Sequence, residues 1–293
     1  MYPQYYTSLI YYYQVINCVI IIKKYSKGAI KLNFCTLFSG SSGNCVYIQD
    51  GNVRFLVDAG KNMKAVASAL QSLDTRLEDI NGIFITHEHS DHISALGVIA
   101  KRYNMPIFGR RATLEAVCDK INDIMPDRLT VLDGDGTFDI FGIGVTPFKT
   151  PHDTPDSSGY VFTGSSEKTL AIATDLGVAT DEVFHHLCKA DFAIVESNHD
   201  IEMLKNGPYP WYLKNRVISD HGHLSNDACA DLVCRLTEHG VLHFLLAHLS
   251  ANNNTEKLAL NTTCCKLLEK GIKPGETTVN LAPRSNISTI FDF

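Results

Sequence analysis

The sequence predicts an α/β protein built from two mixed sheets with helices on their outer faces. Short apolar runs rich in β-branched and aromatic residues alternate with segments whose apolar positions recur at helical spacing, and the alternation comes in two successive β-then-α halves. No Pro-, Gly- or Ser-rich linker separates the halves, so residues 31–293 read as one domain.

In the first half "LNFCTLF" reads as a strand, "SGSSGN" as a turn, "CVYIQ" as a second strand, "DGN" as a hairpin turn and "VRFLVD" as a third strand. Residues 63–73 carry apolar positions at helical spacing, and "GIFIT" is a short run typical of a buried strand. A helix over residues 93–102, a strand at "PIFG" and a helix over 111–120 follow. Residues 129–173 are strand-rich, broken at "DGDG", "FGIG" and "TGSSEK". The second half then alternates: a helix near 181–187, strand "FAIVES", helices through Leu204 and Leu213, a helix over 226–238, strand "HFLLAH", a long helix over 255–270 and a last strand "TTVNLA".

The 293 residues are 45% hydrophobic and 20% charged, which suits a soluble globular chain with a sizeable core. A net charge of -6 excludes a wholesale basic surface for non-specific nucleic-acid binding, while leaving room for a local basic patch. The nine cysteines form no C-x-x-C pair and several sit in apolar periodic segments, so they read as reduced, mostly buried thiols of a cytoplasmic protein.

Residues 1–30 depart from the rest, being rich in Tyr, Ile and Lys. Their apolar stretch, 9–22, is too short for a comfortable membrane span, and Lys23 and Lys24 follow it where a signal peptide would carry its charges first. Three readings compete: translated upstream sequence from a misassigned start, a weak membrane-associating segment, or an extra element packed on the domain. The abrupt change of composition at Lys31 favours the first. No stable membrane span is expected.

The chemistry concentrates in "FITHEHSDHI". In an extended segment alternate side chains face the same way, so His87 and His89 can converge on one ion. If the chain then enters a helix near His92, Asp91 and His92 swing toward a second point beside the first. Such a site needs more ligands, and the sequence offers them past apolar runs: His152 in "KTPHDT", Asp175 in "AIATDLG" and His248 in "LLAHLS". Each stands where a strand would meet solvent at a sheet edge.

The H-E-H-S-D-H cluster, a later single His, an Asp inside "TD" and a final His, in that order, resemble the metallo-β-lactamase-fold hydrolases over about residues 32–284. The resemblance implies a four-layer αββα sandwich with a binuclear site at one sheet edge. His87, His89 and His152 would hold one ion, Asp91, His92 and His248 the other, and Asp175 would bridge them. Asp58 in "VDAG" matches an early aspartate that orients ligands in that family; a turn aspartate at a hairpin end explains it equally well.

Within the fold, Asp175 argues against antibiotic hydrolysis, because the commonest zinc β-lactamases lack this bridging aspartate and use a cysteine ligand. His89 argues against the flavodiiron branch, which has Glu there. Phosphodiesterases and nucleases, thioesterases and lactonases remain. "LFSGSSGN", "ESNHDIEML", "GPYPWYLKNRVISDHGHLSN" and "LAHLSANNN" resemble the YycJ branch, also called WalJ or VicX, bacterial proteins described as 5′-to-3′ double-stranded-DNA exonucleases.

That resemblance implies duplex DNA as the substrate, two divalent ions of Zn, Mn or Fe as cofactors, and hydrolysis by a metal-bridging hydroxide. It places His221, His223 and Ser225 near the ions, with Asp91 and His223 in catalytic roles. Ser225 also reads as a helix cap. Asn198, His199 and Asp200 in "ESNHD" read as scaffold or as support for the ligands in preference to a direct substrate role. The "SGSSGN" loop is a hairpin connection that has the composition of a phosphate cradle. Lys205, Lys214 and Arg216, interleaved with Tyr209, Trp211 and Tyr212, fit either a nucleic-acid groove or an ordinary amphipathic helix. The alternatives in function are ester, thioester or lactone hydrolysis on the same metals, or a metal-binding regulatory protein with little turnover.

Overall fold

The structure is a computed structural model describing residues 31–121 and 124–293; the expectations for residues 1–30 lie outside the described residues. Two seven-stranded sheets face each other. The first has the order β14-β1-β2-β3-β4-β5-β6 and the second β13-β12-β11-β10-β9-β8-β7. The strands of the first are β1 (Leu32–Phe38), β2 (Cys45–Asp50), β3 (Val53–Val57), β4 (Gly82–Phe84), β5 (Ile107–Gly109) and β6 (Leu129–Val131), with β14 (Phe291–Asp292) returning from the C-terminus. The second holds β7 (Phe138–Ile140), β8 (Ile143–Lys149), β9 (Ser158–Thr163), β10 (Thr169–Ala173), β11 (Phe192–Glu196), β12 (His243–Ala247) and β13 (Thr278–Leu281).

Each sheet is mixed in the same way. Strands β1 to β3 pair antiparallel and β3 to β6 parallel; β7 to β10 pair antiparallel and β10 to β13 parallel. The parallel strands read as unbroken apolar runs because both of their faces are covered. In β11, Phe192 and Ile194 point between the sheets while Ala193 and Val195 point outward under helices. The same two-residue alternation sends Leu245 and Ala247 of β12 inward, and Phe244 and Leu246 outward.

Helices cover both outer faces. On the first sheet lie α1 (Met63–Gln71), the single turn α2 (Ser90–Ile93), α3 (Leu96–Tyr103) and α4 (Arg111–Lys120). Around the second lie α5 (Asp181–Leu187), α6 (Ile201–Asn206), α7 (Trp211–Ile218), α8 (Asn226–Glu238) and α9 (Glu256–Glu269). Side-chain caps open the longest: Ser225 accepts from the Ala228 N–H and Thr255 from the Leu258 N–H.

The structure differs from the sequence reading at two elements. The helix expected over 93–102 is split into α2 and α3, with Ala95 N–H donating to the Ala59 carbonyl at the break. The C-terminal "FDF" adds a strand, pairing Phe291 with Phe34 and Asp292 with Asn33. Among the described residues no helix is long and apolar enough to cross a membrane, and the eight cysteines are free.

The sandwich interior is aromatic. Phe84 has no exposed surface, stacks on Phe108 at 4.7 Å between centroids, and meets Phe55 and Phe162 edge-on at 5.1 Å. Tyr160 joins this group and donates its hydroxyl to the Ile85 carbonyl at 2.6 Å, tying the second sheet to the segment that leads into His87. Phe84→Ala should therefore cost about 3–5 kcal/mol in denaturant melts; a loss under about 1 kcal/mol would show that the sheets do not pack through this residue.

Candidate metal centre

The apolar runs of β3, β4, β10, β11 and β12 all end at one rim of the sandwich, and a polar side chain follows each. Beyond β4 the chain bends at Thr86 and reaches His89 in an extended conformation, and α2 then brings Asp91 and His92 back beside them, with the His87 and His92 rings 4.0 Å apart. Asp58, Asp175 and His248 follow β3, β10 and β12 in left-handed backbone conformations, with φ of 61°, 58° and 56°. Asp and His tolerate that region better than branched residues, at a cost of about 1–3 kcal/mol each. The kink turns a strand-end side chain across the rim. Such a turn needs room, and the chain supplies it at Gly60, where a Cβ would lie 1.6 Å from the Asp91 carbonyl oxygen.

The seven predicted side chains meet there, and Glu196 and His223 join Asp175 and His248 in a further group. The ligand-type atoms of His87, His89 and His152 lie within 4.8 Å of one another, as do those of Asp91, His92 and His248, and those of His87, His92 and Asp175. Asp175 stands between the two triads: its carboxylate is 3.4 Å from His92 Nε2 and 3.9 Å from His152 Nε2. These groups come from both sheets, separated by up to 161 positions in the chain between His87 and His248.

The imidazoles are held in one sense. His92 donates Nδ1–H to Asp58 at 2.7 Å, His248 donates Nδ1–H to Glu196 at 2.7 Å, and His152 donates Nδ1–H to the Gly222 carbonyl at 3.0 Å. Thr86 gives its own proton to Asp58 at 2.8 Å, so its oxygen accepts from His87 Nδ1 at 3.0 Å. In each ring Nδ1 is engaged, which directs Nε2 at the cluster. His87 Nε2, His152 Nε2, His248 Nε2 and Asp175 Oδ2 are all buried with no hydrogen-bond partner. A buried polar atom without a partner costs about 1–3 kcal/mol, so four at one point describe a site built for cations.

Electrostatics divides the cluster. Burial, then the neighbouring imidazoles His92, His152 and His89, pushes His87 well below its ordinary value, and burial also lowers His89 and His152. These three are neutral donors. At the other triad burial would lower His92, but Asp175 and Asp58 outweigh it and raise the ring to about 9. Burial is likewise overcome at His248 by Asp175, Asp91 and Glu196, which hold it well above its usual value, while His248 and His92 hold the Asp91 carboxyl well below its own. This carboxylate-rich lobe attracts positive charge, and a divalent ion held there would take the place of the protons.

Of the supporting candidates, Asp58 grips His92 and the Thr86 backbone N–H. Asn198 donates Nδ2–H to the His248 carbonyl at 2.9 Å, and Ser225 caps α8. His223 comes within 3.8 Å of Asp175 and donates Nδ1–H to Glu196 at 2.8 Å. His199 is buried beside them, its ring lowered to about 4 by burial. His221 is exposed.

Sequence reasoning passes over Glu196, Asn44 and Asp153. Glu196 is fully buried and receives His248, His223 and the Leu176 N–H. Its signal is a carboxylate directly after the apolar "FAIV", the same placement that marks Asp175 and His248. Asn44 lies 2.9 Å from His92 Nε2 and accepts the Gly40 N–H, while Ser39 accepts the His248 N–H. The "SGSSGN" hairpin connection thus packs onto the site. Asp153 sits 3.4 Å from His152 and 3.7 Å from His89 and pairs with Arg216.

The Beta-lactamase superfamily domain matches residues 53–248, which contain the seven convergent side chains. The chain belongs to the metallo-β-lactamase-fold hydrolases. It is 37% identical over 246 residues to the exodeoxyribonuclease YycJ of Bacillus anthracis, covering 84% of this chain and 92% of that one. It is 33% identical over 248 residues to the exodeoxyribonuclease WalJ of Streptococcus pneumoniae, covering 84% and 92%. The fold also matches the crystal structure of the metallo-β-lactamase-fold protein YhfI from Bacillus subtilis, with a TM-score of 0.67, 19% identity and coverage of 90% of this chain and 100% of that chain. The protein is a metal-dependent hydrolase with buried His and Asp clusters suited to a binuclear site.

Because Glu196 fixes both His248 and His223, Glu196→Gln should weaken metal retention about 10–100-fold in chelator competition. Circular dichroism should stay near that of the parent. Unchanged metal retention would remove Glu196 from the ligand support.

Proposed function

We propose that this hydrolase is an exonuclease that degrades double-stranded DNA in the 5′-to-3′ direction. One observation carries the substrate class: its likeness to YycJ and WalJ spans nearly their whole length, and both are named exodeoxyribonucleases. We assign His87, His89 and His152 to one ion, Asp91, His92 and His248 to the second, and Asp175 to both. Imidazole-rich ligation suits Zn, and the added carboxylates also suit Mn or Fe. Divalent ions bound by such donors acidify water near neutral pH and offset the charge that builds on phosphoryl oxygens.

The chain's own groups do the rest. Asp58, Thr86, Glu196 and the Gly222 carbonyl engage Nδ1 of the candidate ligand imidazoles and so direct Nε2 at the cluster. His223 lines a small cavity with His152, Arg216 and Asn198. Its Nδ1 is committed to Glu196, so Nε2 is the atom that can carry a proton toward the departing sugar oxygen. Arg216, held at the rim by Asp153, supplies positive charge where the phosphate backbone would approach.

Linear duplex DNA labelled separately at its 5′ and 3′ ends tests the reading. The 5′ label should appear first in mononucleotide, and Asp91→Ala and His87→Ala should abolish the activity while retaining the fold. Hydrolysis of a thioester with no cleavage of duplex DNA or bis-p-nitrophenyl phosphate would overturn it. His223→Ala should lower kcat on DNA about 10²–10⁴-fold with metal content intact; a variant as active as the parent would exclude His223 as the proton carrier.

A further inference from the structure

The helix α7 runs along the mouth of the cavity beside the metal centre. Leu213 and Val217, one turn apart, form its inner face and line the cavity with His152 and His223. An amphipathic helix would turn its aromatic residues the same way. Trp211 and Tyr212 instead stand 75% exposed on the other side, more open than any other large apolar side chain among the described residues.

Three cations, Lys205, Lys214 and Arg216, lie near them, two of them paired with carboxylates. Tyr212 and Arg216 share a face at helical spacing, and Arg216 pairs with Asp153, which in turn lies against His89 and His152. Lys214 Nζ donates to the Lys205 carbonyl at 2.6 Å, and among the described residues no carboxylate pairs with it. Lys205 is offset by Glu202 at 3.1 Å. The aromatic edge is therefore continuous with the metal centre through one helical turn and one ion pair, and it has Lys214 beside it as a cation with no carboxylate partner.

We propose that Trp211 and Tyr212 form a stacking platform for unpaired bases at the end of a DNA strand whose backbone runs past Lys214 and Arg216 into the metal centre. The inference rests on the nuclease reading above and adds where the strand end lies. Exposed aromatic faces paired with cations are what sequence-tolerant single-strand binding requires, since every base has a π face and every linkage a negative charge. An enzyme acting at a duplex end meets bases that are frayed or easily frayed, and the platform would hold them apart.

Trp211 is the chain's single tryptophan, so its emission reports on this helix alone. Metal-loaded protein would be titrated with a phosphorothioate-linked duplex bearing a short unpaired tail, following Trp emission and the anisotropy of a dye on the far end of the duplex. The tailed duplex should quench the emission, and a tail of abasic linkages should bind without quenching. Trp211→Ala should weaken binding roughly 5- to 150-fold, with Trp211→Phe recovering most of the loss and both variants melting with the parent. Binding by anisotropy with unchanged emission and undiminished affinity in Trp211→Ala would overturn the platform while leaving the nuclease reading intact. Emission that responds to anionic lipid vesicles or to protein concentration, and not to the tailed duplex, would assign the patch to a membrane or to a second copy and overturn it too. Absence of both DNA binding and DNA hydrolysis would sink the two readings together.

Discussion

The site depends on where four imidazoles spend their Nδ1 protons. Asp58, Glu196, the Gly222 carbonyl and Thr86 take those protons outward, which turns the Nε2 atoms of His92, His248, His152 and His87 toward one another. Polar atoms crowded without partners in a buried space are costly, and with Asp175 and Asp91 beside them the arrangement is unfavourable without positive charge. The carboxylates meet part of that demand by raising His92 and His248, so protons stand in for cations at one triad, while the His87 triad stays neutral. The same groups that would bind the ions therefore oppose a compact metal-free site, and the fold must supply the compensation.

It does so through the sandwich. Ligands leave strands of both sheets at a common rim, and the sheets are fixed to each other by the aromatic interior and by links that cross it. Tyr160 donates to the Ile85 carbonyl, and the Ser158 N–H to the Thr86 carbonyl, so the second sheet grips the strand extension that carries His87. On the other side Ser39, from the first sheet, accepts the backbone N–H of His248 from the second. Neither half assembles the site alone. A strand-end residue with positive φ is costly on its own terms, and three such residues are tolerated here because tertiary contacts hold them.

Much of this was legible in the letters, for a physical reason. Strands buried on both faces write unbroken apolar runs, so β10, β11 and β12 stand out, and the first ionisable residue past each run marks the rim. His87 to His92 form a local cluster whose geometry follows from an extended segment meeting a helical turn. Glu196 obeys the same rule as Asp175 and His248 but reads as an ordinary strand terminator, because its importance lies in the two rings it receives across the fold. Asn44 is hidden for a similar reason: a loop asparagine looks like turn chemistry until the loop is seen lying over His92. The break between α2 and α3 is set by the Ala59 carbonyl reaching Ala95, and β14 by two residues pairing with β1; neither leaves a periodic signal. The exposure of Trp211 and Tyr212 was undecidable from spacing, since a helix has two faces and the letters do not say which one the sheet takes.

On the proposed assignment, the Asp175 carboxylate would be shared between two ions held side by side by two sets of donors. Elemental analysis of the purified protein and of Asp175→Ala, each checked for parental circular dichroism, tests it most directly. Two transition-metal ions per chain are expected in the parent and at most one in the variant. A parent free of transition metal, or a variant that keeps both ions, would contradict it.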